Sequence, residues 1–443
     1  MNILAKDFNV KSLIQYVLPT ILMMIFMSTY SIIDGLFVAN LVGEDALSAV
    51  NIVMPIANIL YAIGLMFATG GTAVMGKLMG EGKSNEARSF LSILYIVAIA
   101  LGLIITIIIL NFPNEIVAFL GVNDELYSYA MEYLIPVSYF SIAIFLQIFA
   151  QTFFVLAGKP ILGFVVCFLG GVTNIVLDYI FISPNMLNLG IAGAGLATGL
   201  GYCVPAVFAL VYFTFFRKGD LYFAKPVMKI NTLLQSMFNG MSELVSQLSV
   251  AVTTLLFNMI LLELVGTSGV ASISVILYIQ MIQTAIYFGY ATGVAPIISY
   301  KYGAGDIKGL EDVVNISFKF IAIVSALVIA FSLLFGDFAV GIFIKKSSDT
   351  FAMATQGLKL FSVAYLFMGV NLFMSAMFTA LSNGKVSVIL SFSRTFVFLI
   401  GSLLILPYFL HLNGVWLAVP LAEFLAFLLS IYLFKKGRKK YGF

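Results

Sequence analysis

An aspartate stands at position 34 inside "MMIFMSTYSIIDGLFVANLVG" (23–43), a stretch otherwise suited to hydrocarbon. A carboxylate well inside an apolar span costs about 2.5–3.5 kcal/mol on insertion scales, so such a residue is read first as functional. A second one, Asp178, lies in "GGVTNIVLDYIF" (170–181), four residues after Asn174, and the two share one helical face. Tyr30 stands one turn before Asp34, and Met27 ends the run "MMIFM" (23–27) just ahead of it. Adaptable thioethers and aromatic faces there suit a cleft for flat apolar cations. Thr198 offers a hydroxyl in "LGIAGAGLATG" (189–199), where small residues let helices approach closely. Two carboxylates sharing a cavity do not both stay ionised unaided: one holds a proton, or a cation sits between them. Asn174 and Thr198 add neutral oxygens that suit Na⁺ equally well. The chemistry on offer is therefore exchange of H⁺ or Na⁺ at Asp34, Asn174, Asp178 and Thr198; a purely structural hydrogen-bond network is the other use of the same residues.

Three further charged residues fall within apolar segments. Glu243, in "NGMSELVSQLS" (239–249), lies early in its segment, and two uses stay open: facing water at the interface, or neighbouring the site. Arg394 in "SFSRTFVF" and Glu423 in "PLAEFLAF" occupy adjacent segments, and pairing relieves both desolvation costs, so a structural ion pair is expected. Cys167 and Cys203 both fall in apolar runs and read as packing residues. His411 is the one histidine, and no H-E-x-x-H or comparable cluster exists. No enzyme chemistry and no cofactor beyond the coupling ion is expected.

The elements that must hold these residues follow from composition. Of 443 residues 62% are hydrophobic and only 10% charged, against about 25% charged in soluble domains. Apolar segments long enough to cross about 30 Å of hydrocarbon recur along the chain. Twelve such helices are expected, centred near residues 24, 59, 99, 142, 171, 204, 249, 279, 323, 368, 400 and 427. Short connections such as "MGEGKSNE" (79–86), "AGKP" (157–160), "RKGDLYFAKP" (217–226) and "YGAGD" (302–306) carry chain-reversal residues. With the N-terminus cytoplasmic, alternate connections hold Lys77, Lys83, Arg88, Lys159, Arg217, Lys301, Lys319 and Lys385 among others, and the tail "KKGRKKYGF" falls on the same side. The opposite side has Lys345, Lys346 and Lys359. The asymmetry predicts a multi-pass plasma-membrane protein with both termini in the cytoplasm. The basic tail is expected to face anionic lipid rather than nucleic acid, and the chain to act as a monomer.

The two halves repeat. "LVG" at 41–43 recurs at 264–266 and "FATG" at 67–70 as "YATG" at 290–293, both displaced by 223 residues. At that displacement "GEG" (80–82) meets "GAG" (303–305), while "AGKP" is laid over "NGKV" (383–386) at 226. Six helices per unit is an even number, so the copies are parallel. The expected fold is two six-helix bundles, residues 1–220 and 221–443, related by a pseudo-twofold along the membrane normal with the substrate cleft between them.

Together with that repeat, "STYSIIDGLFVANLVGEDALSAV" (28–50), "GTAVMGKLMGEGKSNEA" (71–87), "NIVLDYIFI" (174–182) and "ISYKYGAGD" (298–306) resemble the multidrug and toxic compound extrusion (MATE) transporters, in the DinF-like and MepA-like branch. The resemblance covers about residues 10–435. It implies export of small amphipathic, often cationic compounds driven by inward H⁺ or Na⁺. It also implies a coupling site in the N-terminal lobe at Asp34, Asn174, Asp178 and Thr198, and a helix-1 proline, Pro19, linked to bending when the site is protonated. One departure stands out: helix 10 (360–380) carries no acid where the vibrio-type branch keeps one, which argues against a second coupling site in the C-terminal lobe. A flippase for a lipid-linked precursor in the same superfamily is the alternative, although such substrates want basic residues in the cleft.

Overall fold

The computed structural model is all-helical and describes residues 3–441, less the side chains of Leu36, Glu44, Lys439 and Lys440. Of the basic tail, those two lysine side chains, Gly442 and Phe443 thus lie outside the described residues. Helices α1 (Val10–Leu41), α2 (Glu44–Gly80) and α3 (Ser84–Asn111) lead to a short α4 (Pro113–Phe119). The pair α5 (Asp124–Ser138) and α6 (Ser141–Leu156) meets at 59°. Helices α7 (Pro160–Ile182) and α8 (Gly190–Phe215) complete the first half. The second half holds α9 (Ile230–Val265), α10 (Thr267–Ala304) and α11 (Ile307–Phe343). A 3₁₀ turn at Ser362–Ala364 joins α12 (Asp349–Phe361) to α13 (Tyr365–Ala380). Finally α14 (Gly384–Phe392) passes through a π-helical stretch, Ser393–Leu399, into α15 (Ile400–Tyr441).

Among the described residues ten helices are long and apolar enough to cross a membrane, or eleven when the α5–α6 pair counts as one span. One of the ten runs Gly384–Arg438, 55 residues. At about 1.5 Å per residue it exceeds twice the hydrocarbon thickness, and at His411 its backbone leaves the helical region (φ 49°, ψ −131°).

The duplicated pattern is visible in backbone detail. Gly43 and Gly266, and again Gly82 and Gly305, are left-handed pairs at the 223-residue displacement, closing α1, α9, α2 and α10. After α6 the Lys159 N–H donates to the Phe154 carbonyl; after α13 the Asn383 N–H donates to Phe378. These reversals are 224 residues apart, with Gly158 (φ 73°) matched by Ser382 (φ 57°). The pairing of "AGKP" with "NGKV" at 226 is therefore two residues out: the turn geometry, not the shared Gly-Lys, sets the register.

The halves meet through α1 and α2 against α9 and α10, and the contacts are reciprocal. A Cβ on Gly80 would collide with the Tyr300 carbonyl, and one on Gly303 with the Lys77 carbonyl. Likewise Gly240 abuts Met66, while Gly289 abuts Thr20 and Ile21. All of these lie near the chain-terminal side of the molecule. Toward the other side Gly35, Gly43 and Gly266 have nothing within 4 Å of an added Cβ. The linker is strapped to α3: Arg88 Nε donates to the Asp220 carbonyl at 2.9 Å, and Lys229 pairs with Glu86 at 2.6 Å. Of the basic residues expected in connections, Lys77, Arg88, Lys301, Lys319 and Lys385 stand inside helices instead. Lys319 is in α11, and Lys301, in the last turn of α10, is 1% exposed because Asp306 neutralises it at 2.6 Å.

Candidate functional site

The first half forms a small pocket whose walls include Met27 and Tyr30 on α1, Gln147 on α6, Asn174 on α7, and Thr198 and Tyr202 on α8. Why it forms here follows from the glycines: Gly170 packs on the Gly201 carbonyl and on Pro205, so α7 and α8 approach closely enough to bring their polar faces together. Asp178 is fully buried on the Asn174 face of α7, and Asn174 is 2% exposed. Asp34 reaches in from α1 and has Asp178 and Asn174 as polar neighbours. The four residues picked from the sequence thus converge, and Tyr30 and Met27 line the same space.

Their hydrogen-bonding state is unusual for a protein interior. Among the described residues no hydrogen bond of ordinary geometry is found for Asp34 Oδ1, either Asp178 oxygen, either polar atom of the Asn174 amide, or the Thr198 hydroxyl, although Asp34 lies against Asp178 and Asn174, and Thr198 against Tyr133. Buried polar groups are otherwise paired in nine cases of ten or more, and each orphan costs roughly 1–3 kcal/mol. An all-oxygen set with two carboxylates fits a proton shared between acids or a hard monovalent cation. Tyr133 on α5 faces Asp34, Asp178 and Thr198, and Tyr202 lies against Tyr30. The sequence reading missed both, because tyrosines are common in this chain and only the packing singles these out. Gln147 was missed too, although "LQIFAQ" (146–151), with two amides four apart in an apolar run, is a usable signal.

Pro19 is buried inside α1 at the level where α10 holds the helix: Gly293 meets Val17 and Thr20. Having no N–H, it leaves the Gln15 carbonyl without its helical donor. Cys167 and Cys203 are free thiols, and Cys167 lines the pocket.

The second half differs. Arg394 donates from Nε to Glu423 Oε1 at 2.8 Å, with Nη2 at 2.6 Å from the same oxygen. Asn371 donates to Glu423 Oε2 at 2.7 Å, and Ser430 to Asn371 Oδ1 at 3.1 Å. The expected pair exists, and its lone pairs are largely satisfied. Glu243 is not at a water-facing helix start. It lies well inside the 36-residue α9, half-buried, with Arg394 of its own half and Tyr61 of α2 as neighbours.

The MatE family profile matches residues 19–180 and 244–404, one match in each half. The chain is similar to the multidrug export protein MepA of Staphylococcus haemolyticus, 25% identical over 96% of this chain and 92% of that one. MepA of Staphylococcus aureus (strain MSSA476) is 26% identical, with 96% and 94% covered. A solved MATE in complex with MaL6 superposes with TM-score 0.91 at 23% identity, covering 98% and 97% of the two chains. With the duplicated helices, the unpartnered intramembrane acids and a profile that spans both halves, this chain is a membrane transporter of the MatE family.

Proposed function

We propose that the protein is a secondary active exporter of amphipathic cations, coupled to inward movement of H⁺ or Na⁺. Two lobes, 1–220 and 221–443, would alternate access to the cleft between them. The observation that carries this is the unpartnered set Asp34, Asn174, Asp178 and Thr198 in one lobe only, against the saturated Arg394–Glu423–Asn371 network in the other. A group that must take up and release an ion cannot also be permanently bonded. Export of drugs is what the names of the MepA relatives describe, and the methionine and aromatic wall at Met27, Phe26 and Tyr30 suits such ligands.

The break at His411, 221 residues after the left-handed Gly190 that starts α8, supports dividing the last long helix in two. With the α5–α6 pair and its counterpart α12–α13 each taken as one span, the count is twelve. The reciprocal contacts Gly80–Tyr300 and Gly303–Lys77 support a pseudo-twofold along the membrane normal. With both termini cytoplasmic in the plasma membrane, as the lysine and arginine distribution favours, those contacts close the cytoplasmic side and the cleft faces out. Pro19 then sits at the hinge of α1, between its clamped end and Asp34. Glu243, on the second lobe's side of the cleft, is placed to meet a cationic substrate. The lipid-linked alternative is disfavoured because Arg394 is already neutralised by Glu423.

Cells lacking their own exporters and expressing this protein should accumulate less ethidium-like dye than vector controls, and collapsing the ion gradients should erase the difference. Equal accumulation, with the protein shown in the membrane, counts against drug export. Purified protein in liposomes, given a pH gradient and a Na⁺ gradient separately, identifies the coupling ion.

A further inference from the structure

The repeat lays two positions of α6 over two of α13 at the 224-residue displacement: Gln147 over Asn371, and Gln151 over Ser375. In the second lobe both are fully engaged. Asn371 holds Glu423 and Ser430, and the Ser375 hydroxyl lies 3.0 Å from those of both Ser387 and Ser391. In the first lobe the residues facing Gln151 by the same displacement are Gly163 and Cys167, which offer no hydroxyl. Gln151 is 1% exposed, and neither its Oε1 nor its Nε2 has a partner among the described residues. Gln147, one turn away on the same face, lines the pocket with Asn174 and Thr198, and Asn174 is the neighbour of the Asp34–Asp178 pair.

An amide offers two donors and an acceptor, and leaving all of them unmet in the interior is costly. Buried water meets such groups with two to four hydrogen bonds each. The direction matters as well: α6 ends at Leu156 on the side that carries the chain termini, so Gln151 is one turn nearer that side than the cavity. Between the lobes on that side the backbone at Gly80 and Gly303 packs directly on Tyr300 and Lys77.

We propose that Gln151, with Gln147, holds a short file of water that extends the pocket lined by Gln147, Asn174 and Thr198 toward the cytoplasmic side and relays a proton from the neighbouring Asp34–Asp178 pair. The inference rests on the ion-coupled reading above. A proton leaving the acid pair breaks a carboxyl O–H bond and passes to the water at Gln147 while the last water beyond Gln151 gives one up, so the file stays neutral and the pair is left with one more negative charge. Gln151 is a positioning residue: it touches water, not substrate. The second lobe, whose equivalent stripe is closed by hydroxyl pairs, has no such file.

The test uses the full chain in liposomes, with two readouts. One is gradient-driven dye efflux; the other is X-ray radiolytic oxidation of Cys167, a buried thiol that lines the pocket beside Gln147 and lies opposite Gln151 by the repeat. Gln151→Leu should bind dye as wild type does and keep or raise its thermal midpoint, since it removes orphan polar atoms. Its efflux should fall several-fold and oxidation of Cys167 should drop. Wild-type efflux, or undiminished oxidation of Cys167, in this variant overturns the proposal. Should Gln151→Leu fail to fold, Gly163→Ser, which supplies the hydroxyl the second lobe has at Ser387, carries the same expectations. If the wild type shows no gradient-driven efflux, the transport reading fails separately. The oxidation of Cys167 in wild type against the variant then still decides whether the water file exists.

Discussion

At the scale of single residues, two carboxylates lie beside an amide and a hydroxyl that line the pocket, and Asp34 Oδ1, both Asp178 oxygens, the Asn174 amide and the Thr198 hydroxyl make no hydrogen bond of ordinary geometry among the described residues. Asp34→Asn keeps the size and removes the exchangeable charge. It should leave the protein folded and membrane-inserted while abolishing uphill efflux in liposomes; full gradient-driven transport would sink the role assigned to Asp34. Asp178→Asn should behave alike on the proposed reading, in which the two carboxylates act as one coupled site. Both variants should still bind dye, which fluorescence polarisation with purified protein can check. Thr198→Val tests the ion more selectively: it removes an oxygen ligand, so it should weaken Na⁺ coupling strongly and H⁺ coupling little.

At the scale of elements, the second lobe is held by a charged network rather than by an exchangeable site. Breaking one partner of a buried pair leaves an uncompensated charge, at a cost of about 3–5 kcal/mol. Arg394→Ala and Glu423→Gln should therefore lower folded yield and thermal midpoint, and the double variant Arg394→Met/Glu423→Met should recover much of the loss. If both single variants fold normally and bind drug yet do not transport, the pair is functional and not structural. At the α10–α11 turn, Asp306 caps α11 by accepting from the Gly309 N–H at 2.9 Å and neutralises Lys301. The Lys301 ammonium beside it holds the Asp306 carboxyl below the usual carboxylate range. Its contribution is therefore present above the unfolded value near 3.9 and is lost as pH falls through the lower folded one. Asp306→Asn should flatten the acid limb of a stability–pH curve measured by thermal unfolding, without altering the neutral-pH ion dependence of transport.

At the scale of the whole molecule, the lobes touch through backbone at glycines, which leaves no room for a side chain. Because Gly80 meets Tyr300 and Gly303 meets Lys77, a wedge placed at either glycine should act alike. Gly80→Val and Gly303→Val should each slow efflux and hold the chain-terminal side apart. A thiol placed at buried Ser299, in a chain with Cys167 and Cys203 replaced, should then become reachable by an impermeant reagent from that side. An effect at one glycine alone would count against the lobes moving as pseudo-symmetric bodies.

How much of this was legible beforehand divides along physical lines. Hydrophobic length and charge asymmetry are properties of sequence, so the membrane class and the repeat at Gly43/Gly266 and Gly80/Gly303 were readable directly. So were the acids Asp34 and Asp178, since a carboxylate in an apolar run is conspicuous wherever the chain folds. The 226-residue pairing at "AGKP" failed because matching letters is weaker than matching turn geometry. Lys301 was misplaced because a lysine can be buried once Asp306 lies against it, which is a fact about space and not about spacing. The exact register at which Arg394 meets Glu423, the tyrosines around the cavity, and Glu243 lying between the lobes all depend on helices packing from different parts of the chain. The sequence alone determined which groups would be expensive to bury. Only the tertiary structure decided which of them found partners, and that difference separates the saturated network of one lobe from the open site of the other.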